Sequence, residues 1–323
     1  VSELPAPGGG VVTFGETMAR LSSPGVGPMR HARSLRLGIA GAESNLAIGV
    51  RRLGVPAAWL GRVGADEFGE LIRSTVAGQG VATTAIVDPD APTGLLFKER
   101  RTATRTRVQY YRSGSAGSRL TPDDLDPELI ARSQILHLTG ITPALGDSAR
   151  RAVTAGIELA RAHGVTVSVD LNYRAALWPP EQAGAAFREL VEGADIVLAT
   201  EEEAAMALGT SSLDAESLRD GLAGLGPAEV LVKRGERGAL ARIDGRAYEV
   251  PPRRVTVLDP VGAGDAFAAG YLASRCRGAD PGTRLAVAAT TGAFAVTVAG
   301  DWEGAPTLDE LRLLDNHGDG VAR

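Results

Sequence analysis

The strongest chemical signal in the chain is Asp259-Pro260-Val261-Gly262-Ala263-Gly264-Asp265-Ala266-Phe267, followed by a helical run over 268–275. Two glycines just ahead of a helix let the backbone turn tightly and leave the first helical N–H groups unobstructed. With the positive end of the helix dipole, those groups form an anion site. Asp265 falls in that first turn, beside any phosphate held there. A carboxylate so placed can take a proton from an attacking hydroxyl. The amides of Ala263, Gly264 and Asp265 would meanwhile hold the transferring phosphoryl group, the pairing that phosphoryl transfer to a small molecule needs. Asp is also a frequent helix cap, and Gly-x-Gly-Asp alone would favour that plainer role.

Other chemistries are poorly supported. The sequence has no Gly-x-x-x-x-Gly-Lys-Ser/Thr loop and no Gly-x-Gly-x-x-Gly after its first strand. One cysteine and four scattered histidines build no recognisable zinc spacing. Gly114-Ser115-Ala116-Gly117 is one residue short of a nucleophile elbow.

The elements that must position Asp265 are legible as a rhythm. Apolar strand segments are expected at 11–14, 57–63, 135–138, 165–169, 196–198 and 230–232. Amphipathic helices are expected at 44–53, 66–79, 147–163, 181–192, 201–208 and 213–225. Several strands are rich in Val, Ile and Leu, as strands covered on both faces should be. The alternation predicts an α/β fold, a central mostly parallel sheet flanked by helices on both faces. Two stretches break the rhythm. Residues 93–112 alternate without a helical period and predict one or two exposed strands projecting as a lid. Residues 241–257 predict a small hairpin turning at Asp244-Gly245. The run 285–299 is too short and too rich in threonine for a membrane span and reads as a buried helix.

With 323 residues, 44% hydrophobic and 23% charged, the chain can build a sizeable core. A net charge of −5 gives no basic field for nucleic acid or an anionic membrane. The lone Cys276 fits a reducing cytoplasm and reads as a half-buried helix residue. Residues 1–10 lack the order of a signal peptide and read as a loose tail.

Gly262-Ala263-Gly264-Asp265-Ala266-Phe267 resembles the C-terminal signature of the ribokinase-like (PfkB-type) carbohydrate kinases, and four other stretches agree in order. Gly41-Ala42-Glu43-Ser44-Asn45-Leu46-Ala47 resembles their N-terminal substrate motif. Gly61-Arg62-Val63-Gly64-Ala65-Asp66-Glu67-Phe68-Gly69 resembles the strand, turn and helix after it. Thr200-Glu201-Glu202-Glu203 is similar to the element near magnesium and phosphates, and Lys233-Arg234-Gly235-Glu236-Arg237-Gly238 to the nucleotide loop. Within the family, Tyr110-Tyr111-Arg112-Ser113-Gly114-Ser115-Ala116, His137-Leu138-Thr139-Gly140-Ile141-Thr142-Pro143 and Asp170-Leu171-Asn172-Tyr173-Arg174 resemble the 2-keto-3-deoxygluconate kinases.

The resemblance implies ATP-dependent phosphorylation of the C6 hydroxyl of 2-keto-3-deoxygluconate by a cytoplasmic enzyme using Mg2+, with a monovalent cation such as K+ as a further candidate cofactor. It implies substrate contacts from Gly41, Asn45, Tyr110, Arg112, Ile141, Arg174, Asp265 and Asp301, with Asp265 as the base and Gly262, Ala263 and Gly264 at the anion site. Nucleotide contacts fall to Thr200, Lys233, Gly235, Gly238, Gly262 and Gly264, and an indirect metal contact to Glu203. Arg112 and Arg174 offer the multi-donor geometry that a substrate carboxylate wants. Lys98, Arg100, Arg101, Arg105 and Arg107 read as mostly the solvent face of the lid. One kinase domain over 11–315 is expected, its β-lid drawn from about 15–40 and 88–115, with a second loose tail at 316–323. The lid edge favours a homo-oligomer. Ala40, Leu96, Thr200 and Ala289 depart from the family pattern. Rival readings are a kinase for fructose, ribose or another deoxy sugar acid, a non-catalytic sugar-binding regulator, and a scaffold.

Overall fold

Residues with alternating apolar side chains form strands whose two faces are both covered. The computed structural model describes residues 9–102 and 105–314. The first elements are β1 (Val11–Phe14), β2 (Met18–Ser22), β3 (Arg36–Ala40), α1 (Ala42–Arg52), β4 (Ala57–Gly64), α2 (Glu67–Gly78), β5 (Ala82–Asp88), β6 (Leu95–Arg100) and β7 (Thr106–Tyr111). Next come α3 (Pro127–Arg132), β8 (Ile135–Thr139), α4 (Asp147–Ala162), β9 (Thr166–Asp170), α5 (Pro180–Glu192), β10 (Ile196–Thr200), α6 (Glu201–Leu208), α7 (Ala215–Ala223) and β11 (Glu229–Lys233). Last are β12 (Ala239–Ile243), β13 (Arg246–Val250), α8 (Ala263–Cys276) and α9 (Pro281–Ala295).

The large sheet runs β13-β12-β11-β10-β9-β8-β1-β4-β5. It is parallel from β11 through β5, and β12 and β13 add an antiparallel end. Successive residues take opposite faces. Val11, Ile135, Ile196, Leu198 and Leu231 pack with α1, α2, α8 and α9. Val12, Leu136, Val167, Val197, Val230 and Val232 pack with α3 to α7. That is the two-sided burial a parallel sheet requires.

The six strands and six amphipathic helices of the expected rhythm form, with boundaries shifted by a residue or two. Asp66 and Asp214 cap α2 and α7 by accepting the N–H of Gly69 and Ser217, at 2.8 and 2.9 Å. The buried helix expected at 285–299 begins earlier, at Pro281, and ends at Ala295. Asp280 caps it, and Pro281 takes a first-turn position where its missing N–H costs no helix bond. The hairpin does turn at Asp244-Gly245, both with positive φ, but it ends at Val250 rather than 257. Pro251-Pro252 supplies no N–H to continue the ladder.

A second sheet, β3-β2-β6-β7, forms the projecting lid. Its cross-strand pairs include Leu96 opposite Tyr110. The lid departs from expectation in one respect: Lys98, expected on its solvent face, is buried on the side of Leu96. Strand alternation places both residues on one face. The expected tails, 1–10 and 316–323, lie outside the described residues except for Gly9 and Gly10. Among the described residues no helix is long and apolar enough to cross a membrane.

Candidate active site

Parallel strands end in backbone groups and loops that converge on one rim, and the rim here is chemically rich. Thr139 ends β8, Asp170 ends β9, Thr200 ends β10 and Lys233 ends β11. The sheet order reverses between β1 and β8, which opens the crevice where such folds bind ligands. Between this rim, the lid and the start of α8 lies a cavity of about 1140 Å³. It is lined by every residue singled out from the sequence: Gly41, Asn45, Tyr110, Arg112, Ile141, Arg174, Thr200, Glu203, Lys233, Gly235, Gly238, Gly262, Ala263, Gly264, Asp265 and Asp301.

Gly262 caps α8 with φ 82°, a left-handed conformation that side chains disfavour. A Cβ there would also run into the Asp301 carbonyl oxygen. Gly264 has only the Lys233 ammonium near the place a Cβ would take, at 3.6 Å, so a phosphate can approach the backbone beside that charge. Asp259 ties the loop together: its Oδ1 accepts the Val261 N–H at 3.3 Å and its Oδ2 the Gly300 N–H at 3.2 Å.

Asp265 is half-buried in the first turn of α8. Burial pushes its carboxyl up to about 7, opposed by the Asn45 hydrogen bond and by the charges of Arg174 and Lys233, and reinforced by Asp170. Asn45 Nδ2 donates to Asp265 Oδ2 at 2.8 Å, and the buried Asn45 Oδ1 has no hydrogen-bond partner in the structure. That oxygen is an acceptor waiting for a hydroxyl. His137 offers no competing base. Buried against Ser168 at 3.0 Å, it is pushed down to about 3 by burial and by Lys233.

Lys233 approaches both Asp170 oxygens, at 2.7 and 2.6 Å. Burial pulls its ammonium down, but Asp170 and Glu203 hold it above the ordinary lysine range. Glu203 accepts the Thr200 N–H at 2.7 Å and the Tyr173 N–H at 2.8 Å. Thr200 Oγ1 returns a cap to the Glu203 N–H at 3.2 Å. Both residues thus shape the start of α6 first, and a contact from Glu203 to a metal would run through water. Among the described residues no group of three or more His, Cys, Asp or Glu could hold a metal. The carboxylates present suit an Mg2+ that arrives on nucleotide phosphates and keeps much of its water.

The two arginines differ. Arg112, expected to meet a substrate carboxylate, pairs with buried Glu16 through Nε at 2.7 Å and Nη2 at 2.5 Å. Its charge is already balanced, while Ser115 Oγ takes the other Glu16 oxygen. Arg174 donates to the Tyr173 carbonyl at 3.0 Å and has no carboxylate partner among the described residues. Asp301 also departs from expectation. It lines the cavity, but its carboxylate pairs with Arg20 and lies 3.7 Å from Lys98.

Several participants were not singled out from the sequence. Glu43 is buried and accepts the Thr139 and Thr142 hydroxyls at 2.7 and 2.8 Å; burial holds its carboxyl above the usual range. Asp170 and Asn172 stood inside a quoted motif without a role of their own. Asn172, with φ 42°, turns the chain after β9 in a conformation that Asn tolerates better than most. Glu16 follows the first strand and Gly15, a position that sheet-end reasoning could have flagged.

The model of the pfkB family carbohydrate kinases matches residues 9–308. The chain is 37% identical over 311 residues to a 2-dehydro-3-deoxygalactonokinase of Haloferax volcanii, covering 96% of this chain and 97% of the relative. It is 36% identical over 311 residues to a 2-dehydro-3-deoxygluconokinase of Thermoproteus tenax, covering 94% and 93%. An E. coli protein assigned as a ribokinase II, solved in complex with ATP and Mg2+, superposes with a TM-score of 0.87 at 27% identity, covering 95% of this chain and 99% of that one. Sequence match and site geometry agree, and the chain belongs to the pfkB family of carbohydrate kinases.

Proposed function

We propose that the enzyme transfers the γ-phosphoryl group of ATP to the C6 hydroxyl of 2-keto-3-deoxygluconate, giving 2-keto-3-deoxy-6-phosphogluconate and ADP. The observation that carries this reading is Arg174. Beside the paired Arg112 and Lys233 it is a guanidinium with no ion-pair partner among the described residues, set in the cavity that holds Asp265, whose carboxyl feels its charge. A sugar acid brings the carboxylate such a group lacks, whereas a neutral sugar leaves it unmatched. Relatives named for 2-dehydro-3-deoxygluconate and 2-dehydro-3-deoxygalactonate support the same substrate class.

Asp265 accepts the hydroxyl proton as the oxygen attacks phosphorus, and the bond from the γ-phosphorus to the β,γ-bridging oxygen breaks. The amides of Ala263, Gly264 and Asp265 hold the charge on the transferring group. Asn45 orients Asp265 through its Nδ2 and receives a sugar hydroxyl on Oδ1. Tyr110, Ile141 and Gly41 enclose the sugar from the lid, the β8 loop and the start of α1. ATP runs along Thr200 and the Lys233–Gly238 loop, where Gly238 takes φ 78° against the Val250 carbonyl. Glu203 would hold, through water, an Mg2+ carried on the phosphates, and that ion would supply charge neutralisation. The lid and the large sheet act as one catalytic unit over 11–315. We place the enzyme in the cytoplasm, where ATP is plentiful and Cys276 stays reduced.

A coupled ADP-release assay tests this. It compares 2-keto-3-deoxygluconate, its galactonate epimer, fructose and ribose in the wild type and in Arg174→Ala. Expected is a preference of about 100-fold or more in kcat/KM for the keto-deoxy acids, largely erased by Arg174→Ala. A preference for fructose or ribose would discard the carboxylate assignment and keep the kinase.

A further inference from the structure

A buried ammonium lies beneath the anion loop, and it comes from the lid. Lys98 on β6 is 7% exposed at its side chain, and its Nζ lies 2.6 Å from Asp259 Oδ2 and 3.7 Å from Asp301 Oδ2. It donates to the Gly300 carbonyl at 2.9 Å. All three oxygens belong to the segments that build the loop: Asp259 opens it and holds the Val261 N–H, while the Asp301 backbone backs Gly262. Arg20 on β2 reaches the same place, pairing with Asp301 and with Glu303 at 2.5 Å. The cluster therefore holds two cations and three carboxylates.

Two buried carboxylates behind a phosphate site work against it unless they are neutralised, because charge is poorly screened in a low-dielectric interior. Arg20 answers Asp301 and Glu303. Asp259 has only Lys98 as an ion-pair partner among the described residues. A carboxylate, a backbone carbonyl and a second carboxylate form the kind of oxygen set that hard cations take, and a lysine ammonium is a compact point charge suited to the same set. Lys98 Nζ sits within hydrogen-bond distance of both Asp259 Oδ2 and the Gly300 carbonyl, the place a separate K+ between them would need.

We propose that Lys98 serves as a built-in monovalent cation: its ammonium neutralises Asp259 and Asp301 behind the anion loop, makes K+ unnecessary there, and fastens the loop to the lid. Lys98 is thus a positioning residue acting through Asp259, with no contact to the reacting atoms.

The test uses the full chain, wild type and Lys98→Met, with tetramethylammonium as the only monovalent cation and then with K+ or NH4+ in its place. ATP affinity by calorimetry and the thermal unfolding midpoint are read, neither of which needs the sugar. The wild type should be indifferent to the exchange in both. Lys98→Met should bind ATP about 100-fold more weakly, the order expected for breaking a buried pair, and regain affinity and thermal stability with NH4+ or K+. A wild type that requires K+ overturns the proposal, and that arm decides alone if the variant does not fold. So does a variant with full ATP affinity in tetramethylammonium, or an impaired one that neither small cation restores.

Discussion

Asp265 combines two properties that pull against each other. A base must be ionised to accept a proton, yet burial holds this carboxyl up at about 7, near the pH at which it would work. The activity of the free enzyme should therefore rise with pH through about 7 as Asp265 loses its proton. The same shift affects stability with the opposite slope. Between the ordinary carboxylate range and about 7 the folded state holds a proton that the unfolded state has released, so stability falls as pH rises across that window. Asp265→Asn should remove both dependences, keep sugar and ATP binding, and lower kcat by about a thousandfold or more. Rate profiles and melting curves from about pH 4 to about pH 8, spanning those two limits, check both parts. A variant with near-normal turnover would remove Asp265 as the base.

Elements hold these residues in register, and the α8 entry is the most constrained of them. Gly262 meets two demands at once, a positive φ and room for the Asp301 carbonyl. Gly262→Ala should abolish detectable ATP turnover and lower the melting temperature, since strain and overlap add. A coupled assay with a melting curve measures both, and unchanged turnover and melting temperature would show that the loop tolerates the displacement. Much of this element was readable beforehand, because two glycines ahead of a helix and a carboxylate in its first turn are local features. The strands were readable for the same reason: Val, Ile and Leu alternate between two buried faces. What the sequence withheld was pairing. Nothing local in Arg112 announces Glu16, and nothing in Lys98 announces Asp259. Periodicity assigns a side chain to a face and leaves its partner open, as with Arg20 and Asp301, 281 positions apart.

At the scale of the molecule, the lid sheet leaves β3 and β7 as edges and exposes Leu37 at 54% and Tyr111 at 57%. Apolar side chains beside open sheet edges invite a second copy. We propose a homodimer through the lid. Light scattering should give twice the chain mass of 33.4 kDa, and Leu37→Lys should return the single-chain mass; a wild type of single-chain mass would refute the dimer.

The hydrogen bond from Asn45 to Asp265 joins residues 220 positions apart, and the helices that carry them, α1 and α8, pack in the same core. A ribosome adds about 5–20 residues per second, so Asn45 waits on the order of 10–40 s for its partner to be made. Through that interval Leu46, Val50 and their neighbours on α1 lack the surface that later covers them. The newborn chain thus carries an uncovered apolar helix for most of its synthesis, and the N-terminal half of this enzyme is where a chaperone would first find something to hold.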